Sequence, residues 1–244
     1  MCGRYVRKST RREIARWFDA EDSAEWGASY NVAPQTFQPV VRLHRETGRR
    51  EIVLLRWGLI PYWAKDAKIG LSTINAKAET VATAPAFRDP FARRRCLVPA
   101  DAFYEWQKRD RAHKQPFAIA LASREPYGFA GIWERWKDPR NGEWLETFSI
   151  ITTDPNSLVA PLHNRMPVII ERKDYARWLA GDGSAQPPID LLRPFPAEQM
   201  IAWEVGPAVG NVRNDSAELL AADTQQTKQP EELFLPGFLN ETDG

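Results

Sequence analysis

Residues 96–106, CLVPADAFYEW, decide the fold. The stretch is rich in β-branched and aromatic residues, which is typical of β-strands. Within it, Glu105 lies between Tyr104 and Trp106. Because side chains alternate across a strand, the carboxylate should point away from both aromatic rings. The stretch therefore predicts a strand with two aromatic rings on one face and an acid on the other.

Strand patterns extend on both sides of this stretch. FQPVVRL (37–43) and REIVLLRW (50–57) predict two strands joined by a turn around Thr47-Gly48, and Asn141-Gly142 predicts a hairpin. The other predicted strands are 71–75, 116–121, 127–133, 144–152 and 166–170.

Helices are predicted to be few and short. Thr10 and Glu13 form a capping-box pattern, followed by Ile14, Trp17 and Phe18 at helical spacing. The other predicted helices are 76–83, 155–160, 172–180 and 216–222. Because strands do not alternate regularly with helices, a parallel doubly wound sheet is improbable. We expect an α+β fold, a single domain built on a curved, mainly antiparallel, barrel-like β-sheet flanked by short helices.

Composition and charge set the domain boundaries. The chain has 244 residues, of which 43% are hydrophobic and 27% are charged, which suits one large domain. We expect this domain over residues 2–222 and a flexible acidic tail over 223–244. Residues 215–244 carry a net charge of −6 and residues 1–214 a net charge of +7. The basic body is compatible with a nucleic-acid partner, although solvated surface charge is the commoner explanation.

Several function classes find no support in the sequence. No stretch approaches the ~20 apolar residues of a membrane span, and the N-terminus has no apolar signal core, so we expect a cytoplasmic protein without membrane partners. Two Cys and three His, without an HExxH pattern, predict neither a disulfide framework nor a metal site. Common nucleotide-binding and serine-hydrolase motifs do not occur, and no cofactor is expected.

Cys2 carries the most distinctive chemistry. Removal of Met1 would place a thiol and a free α-amine on adjacent carbons. The amine has an ordinary pKa of ~7.7–8.0, so far more of it is unprotonated near neutral pH than of a Lys amine. An aldehyde can form a Schiff base with this nitrogen, and the sulfur can then close a five-membered thiazolidine ring. The alternative is that Cys occupies position 2 by chance.

Seven sequence blocks resemble, in family order, the SOS response-associated peptidase family, whose members crosslink to abasic sites in single-stranded DNA. The blocks are CGRY (2–5), YNVAP (30–34), RWGLIPYWA (56–64), INAKAET (74–80), CLVPADAFYEW (96–106), HNRMPVI (163–169) and VGNVRNDSAEL (209–219). Each block is weak evidence alone, but seven in register indicate the family strongly.

The resemblance implies four catalytic residues. Cys2 matches the nucleophile, and Asn75 an amide that could hold the α-amine or the sugar oxygen. Glu105 matches an acid–base carboxylate whose pKa burial would raise, and His163 a residue that could shuttle protons. Alternatively, Asn75 could cap a turn and Glu105 could lie on a solvent-exposed face.

The resemblance also implies a DNA-binding set. Phosphate contacts are expected from Arg4, Lys77 and Arg165, with Arg88 as a possible addition. Lys77 departs from a frequent Arg of the family and supplies only a point charge. Trp63 resembles a base-stacking residue, with core packing as its alternative. Asn31 and Pro34, in the YNVAP block, match family residues of a loop that lies beside the abasic site.

The remaining candidates are given structural or surface roles. Cys96 is interpreted as a small buried hydrophobe, His44 and His113 as surface residues, and Arg93–Arg95 as a solvated helix end.

The leading hypothesis is a DNA-repair protein that crosslinks through Cys2 to ring-opened abasic sites in single-stranded DNA. It would act as a monomer, associated with the nucleoid if the source is bacterial, and lyase activity stays open. The second hypothesis is a cysteine peptidase that removes its own Met1 with Cys2 and His163. The third is a non-covalent single-strand-binding module whose affinity depends steeply on salt.

Overall fold

The computed structural model describes residues 2–110, 113–181 and 186–223. Its fourteen strands are β1 (Tyr5–Arg7), β2 (Glu21–Asp22), β3 (Ser29–Val32), β4 (Phe37–Leu43), β5 (Arg50–Trp57), β6 (Asn75–Lys77), β7 (Arg95–Ala100), β8 (Ala102–Lys108), β9 (Lys114–Leu121), β10 (Tyr127–Lys137), β11 (Trp144–Thr153), β12 (Met166–Pro167), β13 (Ile169–Ile170) and β14 (Met200–Glu204). The α-helices are α1 (Arg11–Phe18), α2 (Arg88–Arg93) and α3 (Tyr175–Leu179). Six 3₁₀ turns lie at Ala67–Leu71, Arg172–Asp174, Ile189–Leu191, Ala197–Gln199, Pro207–Gly210 and Ala217–Leu220.

The strands form two sheets, one of which closes on itself. In the larger sheet, β5, β4, β7, β10 and β11 pair in that order, and a parallel pairing of β11 with β5 completes the ring. The smaller sheet has the order β14-β9-β8-β1-β3, and its pairings are antiparallel. The expected barrel-like α+β fold is therefore confirmed.

The main core lies between the two sheets. Its buried side chains include Trp57, Phe129 and Phe148 from the closed ring, and Tyr5 and Phe103 from the smaller sheet. A second cluster fills the space between the larger sheet and the three helices, and a third covers the outer face of the smaller sheet. A side chain that points inwards from the smaller sheet therefore enters the central core.

Local sequence signals predicted several elements correctly. α1 begins at a complete capping box, in which Glu13 N donates to Thr10 Oγ1 (3.3 Å) and Thr10 N donates to the Glu13 carboxylate (2.7 Å). The β4–β5 and β10–β11 connections contain Gly48 and Gly142 at positive φ, as their turn motifs require. The region 172–180 contains α3 and the turn before it, while 216–222 forms only a 3₁₀ turn.

Three local predictions were wrong because tertiary partners override propensity. Of the predicted strand 71–75, Leu71 ends a 3₁₀ turn, only Asn75 lies in a strand, and the residues between them form a turn and a bend. The predicted helix 76–83 begins as strand β6 and continues as turns. β6 forms here because β11 offers it a parallel edge. The predicted helix 155–160 is a series of turns, in which Asn156 Oδ1 accepts from Val159 N (2.9 Å).

Two further stretches, each predicted to be one strand, form two strands in the structure. The stretch 96–106 forms two strands, β7 and β8, separated at Asp101. The stretch 166–170 likewise forms β12 and β13, which pair with different neighbours.

The solvated position expected for Arg93–Arg95 is wrong for Arg95, which is 3% exposed. Its guanidinium donates to the carbonyls of Phe91 (2.7 Å), Ala92 (3.0 Å) and Trp178 (2.7 Å), and also to that of Ala180. Arg95 thereby ties α2 and α3 to the start of β7.

We expect Arg95→Met to lower the free energy of unfolding by at least about 3 kcal/mol, because four buried carbonyl acceptors lose charged donors. Denaturant titration measures this change. Arg93→Met is the matched control, since Arg93 is exposed at the end of α2, two residues before Arg95, and should change stability by less than about 0.5 kcal/mol. Equal effects of the two substitutions would contradict the assigned role of Arg95.

Among the described helices, none is both long and apolar enough to cross a membrane. The predicted acidic tail, residues 223–244, lies outside the described residues except for residue 223.

Candidate functional site

Cys2 lies in the central core beside the smaller sheet. Strand β1 pairs with β8 through Tyr5 opposite Phe103, and Tyr104 N donates to Arg4 O (3.0 Å), which continues the pairing towards the N-terminus. The Cys2 side chain is 0% exposed and belongs to the central core cluster. Burial raises the pKa of its thiol, and the negative charge of Glu105 raises it further. The thiol is therefore held in its neutral form.

Glu105 enters the same core from β8. Tyr104 and Trp106 belong to the outer cluster of the smaller sheet, whereas Phe103, two residues before Glu105, belongs to the central core. The expected alternation is thus confirmed, and the solvent-exposed alternative is wrong, since Glu105 is 2% exposed. Burial raises the pKa of this carboxyl to about 8. It can therefore donate a proton near neutral pH and accept one afterwards.

Asn75 is the first residue of β6, opposite Ile150 of β11. Its side-chain amide donates to Ile74 O (3.1 Å) and, at 3.4 Å, to Ile150 O. Its Oδ1 atom is buried and accepts no hydrogen bond from residues 2–110, 113–181 or 186–223. A buried acceptor without a donor is costly, and such atoms are common where a ligand binds.

His163 ends the series of turns that follows β11. Its Nδ1 lies 3.0 Å from Arg165 N and 3.2 Å from Arg165 O, so the backbone of Arg165 orients the ring. Burial lowers the pKa of His163, which favours the neutral imidazole. A neutral imidazole held in this way can take up and return a proton near neutral pH.

The segments that carry these four residues meet around one region of the core. Ile74 and Leu162, the neighbours of Asn75 and His163, pack against the cluster that contains Cys2. Gln107, two residues beyond Glu105, donates to Pro161 O (3.3 Å) and so joins β8 to the turn before His163. Cys2 and Glu105 are both buried, and the carboxylate charge raises the pKa of the thiol, so the two groups affect each other's ionisation.

Sequence reasoning missed two tyrosines of the central core. Tyr5 and Tyr127 are buried there, and neither hydroxyl has a hydrogen-bond partner among residues 2–110, 113–181 and 186–223. Tyr5 lies within the CGRY block, but the sequence predicts functional roles only for Cys2 and Arg4 of that block. No local pattern distinguishes Tyr127 from the other aromatic residues of the strands.

The residues predicted to bind DNA divide into two groups. Lys77 and Arg88 are exposed, and Trp63 is 48% exposed, so the core-packing alternative for Trp63 is wrong. Pro34 is half-buried. Arg165, with a side chain 14% exposed, donates to both Glu79 carboxylate oxygens (2.6 and 2.9 Å) and to Asp154 (3.2 Å). DNA-binding roles for these residues stay predictions.

Arg4 and Asn31 are bonded to the segment that follows β14. Arg4 donates to Asn31 Oδ1 (2.8 Å) and to Val209 O (3.1 Å). Asn31 Nδ2 lies within hydrogen-bond distance of Val209 O (3.2 Å) and of two further carbonyls, Asn211 O (3.0 Å) and Asn214 O (2.8 Å). These bonds clasp residues 209–214 against β1 and β3, so the two side chains have a structural role whatever they bind.

The buried position predicted for Cys96 and the surface position predicted for His113 are confirmed, whereas His44 is only partly exposed. Cys96 is buried in the central core, as expected, and His113 is exposed beside Asp110 (2.9 Å). His44 is half-buried, and its Nδ1 accepts from Glu46 N (3.3 Å) and Thr47 N (3.3 Å) in the β4–β5 turn.

Comparison with known proteins places these features in context. The family model described as SOS response associated peptidase (SRAP) matches residues 1–212. The abasic site processing protein YoaM of Bacillus subtilis is 41% identical over 227 residues, which cover 91% of this chain and 99% of that protein. The abasic site processing protein HMCES of Rattus norvegicus is 32% identical, over 93% of this chain and 73% of that protein.

The fold is also similar to solved structures. A crystal structure of a protein from Bacteroides thetaiotaomicron matches with a TM-score of 0.81 and 28% identity, over 91% of this chain and 99% of that one. A protein from Bordetella bronchiseptica matches with a TM-score of 0.72 and 28% identity, over 84% of this chain and the whole of that one.

Proposed function

Because the chain belongs to the SOS response associated peptidase family, as its motif blocks indicated, we propose that it attaches covalently to abasic sites in single-stranded DNA. The relatives named abasic site processing proteins support the lesion as the target. The attachment runs through Cys2 after removal of Met1. One observation carries the proposal: the Cys2 thiol and the Glu105 carboxyl are buried in the same core and interact there.

The first chemical step joins the α-amine of Cys2 to the ring-opened sugar. The nitrogen attacks the aldehyde carbon, and the resulting hydroxyl leaves as water when it receives a proton. Glu105, with a pKa of about 8, is protonated near neutral pH and supplies that proton. The amine nitrogen gives up a proton in exchange, so the carboxyl is restored and the product is an imine.

The second step closes the ring. The Cys2 sulfur adds to the imine carbon, a C–S bond forms, and the thiol proton ends on the nitrogen. Neutral His163 can carry this proton, because a neutral imidazole can both accept and donate one. The buried Oδ1 of Asn75 accepts a hydrogen bond from the amine or from a sugar hydroxyl. The product is a thiazolidine that needs no external oxidant or reductant.

Exposed cationic and aromatic residues supply non-specific affinity for DNA. Lys77 continues the strand that begins at Asn75, and it is exposed. Exposed Trp63 offers a stacking platform worth ~1–3 kcal/mol per base without sequence preference. Arg165 forms an ion pair with Glu79. A DNA phosphate can replace this carboxylate, because a guanidinium binds the oxygens of carboxylates and phosphates in the same bidentate way.

The test is an incubation with single-stranded DNA that carries one abasic site, followed by denaturation. A heat-stable adduct is expected with the aldehyde-bearing lesion, and none with the same lesion reduced to an alcohol. Binding that ignores the lesion and leaves no adduct would instead favour the non-covalent alternative, whose affinity should fall steeply with salt.

We expect Glu105→Gln to slow adduct formation by about 10²-fold, because an amide neither donates nor accepts a proton under these conditions. Single-turnover kinetics across pH measure this. The wild-type rate should fall as the pH rises through about 8, because Glu105 then loses the proton that it donates. The rate of the variant should show no such fall.

Stability provides a second readout of the same substitution. The folded protein raises the carboxyl pKa from about 4.3 to about 8, so protonation favours the folded state and stability falls as pH rises through that window. Glu105→Gln should not show this fall.

Glu134→Gln is the matched control for Glu105→Gln. Glu134 is also buried with a raised pKa, but its partner is Arg94 (2.7 Å). It should lower stability without changing the pH profile of adduct formation. A wild-type rate and profile for Glu105→Gln would contradict the acid–base role.

A further inference from the structure

A carboxylate covers one edge of the Arg165 guanidinium. Glu79 Oε1 accepts from Arg165 Nη1 (2.6 Å) and Glu79 Oε2 accepts from Nη2 (2.9 Å), so one carboxylate engages both terminal nitrogens. A guanidinium binds a phosphate in the same two-point geometry. Glu79 therefore occupies the place that a DNA phosphate would take on Arg165.

The other edge of the guanidinium is closed to a ligand. The Arg165 Nε atom is buried and has no hydrogen-bond partner among residues 2–110, 113–181 and 186–223. A second bidentate edge would need Nε together with Nη2, and Nη2 also donates to Thr152 O (2.6 Å). The edge formed by Nη1 and Nη2 is consequently the one that a phosphate can reach, and Glu79 covers it.

Two other acceptors hold Arg165 in place when Glu79 leaves. The Arg165 side chain is 14% exposed, and it donates to the backbone carbonyl of Thr152 and to the carboxylate of Asp154 (3.2 Å). The side chain of Glu79, by contrast, is 49% exposed. A half-exposed carboxylate can move into water at little cost, since solvent replaces the bonds that it gives up.

Strand β11 positions both partners of this ion pair. β6 pairs with β11 through Lys77 opposite Thr152, and the chain then turns over residues 78–83, which include Glu79. Arg165 directly precedes β12, which pairs with the same end of β11. The ion pair thus joins two segments that a common strand holds side by side.

The charges of this group balance while the ion pair is closed. Arg165 and the exposed Lys77 are positive, whereas Glu79 and Asp154 are negative. The hydrogen bonds from Arg165 lower the pKa of the Glu79 carboxyl, so it is charged at neutral pH. A phosphate therefore meets a group without net charge, and it can bind Arg165 in two-point fashion only by displacing a carboxylate that is already bound.

We propose that Glu79 sets the affinity of the protein for single-stranded DNA by occupying the phosphate-binding edge of Arg165 and competing with the DNA backbone for it. The inference rests on the proposed DNA contact of Arg165. Loss of a competitor should strengthen binding, whereas loss of a carboxylate that merely orients Arg165 should weaken it.

The test is the affinity for a lesion-free single-stranded oligonucleotide, measured by fluorescence anisotropy at several salt concentrations. With Glu79→Gln we expect about tenfold tighter binding near physiological salt, because a neutral amide competes less well for the guanidinium. We also expect the slope of log K against log salt to become steeper by about 0.7, the value for one phosphate contact on a single strand. In the wild type, the displaced carboxylate takes up a counterion and so offsets this release.

Two further variants show whether Glu79 acts through Arg165. Asp154→Asn is the matched control, since Asp154 also bonds Arg165, but its side chain is 79% exposed and accepts from Nη1 alone. It removes the same charge and should tighten binding by less than about threefold. In an Arg165→Gln background, Glu79→Gln should leave the affinity unchanged. If that background does not fold, the comparison of Glu79→Gln with Asp154→Asn still decides.

Weaker or unchanged binding by Glu79→Gln would overturn the inference, as would an equal gain from Asp154→Asn or a full gain in the absence of Arg165. The oligonucleotide carries no aldehyde, so these results do not depend on Cys2. A wild type that crosslinks abasic DNA while Glu79→Gln gains no affinity rejects only the inference. The expected gain in a protein that forms no adduct with abasic DNA rejects only the covalent function.

Discussion

Cys2→Ala should abolish the heat-stable adduct with abasic single-stranded DNA, a loss of at least about 10²-fold in yield at any time point. The variant keeps its α-amine, so the imine still forms, but it hydrolyses because nothing traps it. Cys2→Ser should behave similarly, since oxygen is the poorer ring-closing nucleophile. The measurement is adduct yield on a denaturing gel after heating.

Two controls sharpen this result. Borohydride reduction during the reaction should trap the imine of Cys2→Ala as a stable secondary amine, which separates loss of ring closure from loss of binding. Cys96→Ala should still form the heat-stable adduct, since Cys96 is the other thiol buried in the core. Wild-type adduct yield in Cys2→Ala without borohydride would reject the proposed chemistry.

Retention of Met1 should be as damaging as loss of the sulfur. The α-amine of Cys2 is then an amide nitrogen, which is not a nucleophile, so neither the imine nor the thiazolidine can form. Protein made with and without methionine aminopeptidase activity, sorted by intact mass, provides the two forms. Only the form that lacks Met1 should give adduct, with a difference of at least about 10²-fold.

The same pair of samples distinguishes the two routes of Met1 removal. If the chain cleaves its own Met1–Cys2 bond, the wild type should lose Met1 without the aminopeptidase, and His163→Ala should keep it. If Met1 stays on the wild type, self-cleavage is rejected while the crosslinking proposal stands. An adduct formed by Met1-bearing protein would contradict the role of the free amine.

Part of the geometry of the candidate site could be predicted from the sequence. The motif blocks singled out Cys2, Asn75, Glu105 and His163, whose catalytic roles stay predictions. Period-two alternation placed Glu105 opposite Tyr104 and Trp106, as the structure has it. Alternation is a local property of the backbone, so eleven residues suffice to read it.

What the sequence could not predict depends on distant partners. Asn75 was assigned to the end of a strand and the following residues to a helix, but strand β6 exists because β11 pairs with it from 75 residues away. Arg95 looked like part of a solvated basic run, although its guanidinium meets carbonyls from two helices. Tyr127 has a buried hydroxyl without a hydrogen-bond partner among the described residues, a feature that depends on tertiary packing and not on local sequence.

The clasp between Arg4 and Val209 has a consequence for the order of events during synthesis. The two residues are 205 positions apart, so a growing chain presents its N-terminal segment long before residues 209–214 leave the ribosome. β8, which buries that segment, is also made about a hundred residues later. Throughout this interval the first residues are accessible to processing enzymes. Packing of residues 209–214 against Arg4 and Asn31 ends the interval, so we expect the time available for co-translational removal of Met1 to grow with the time taken to synthesise the rest of the chain.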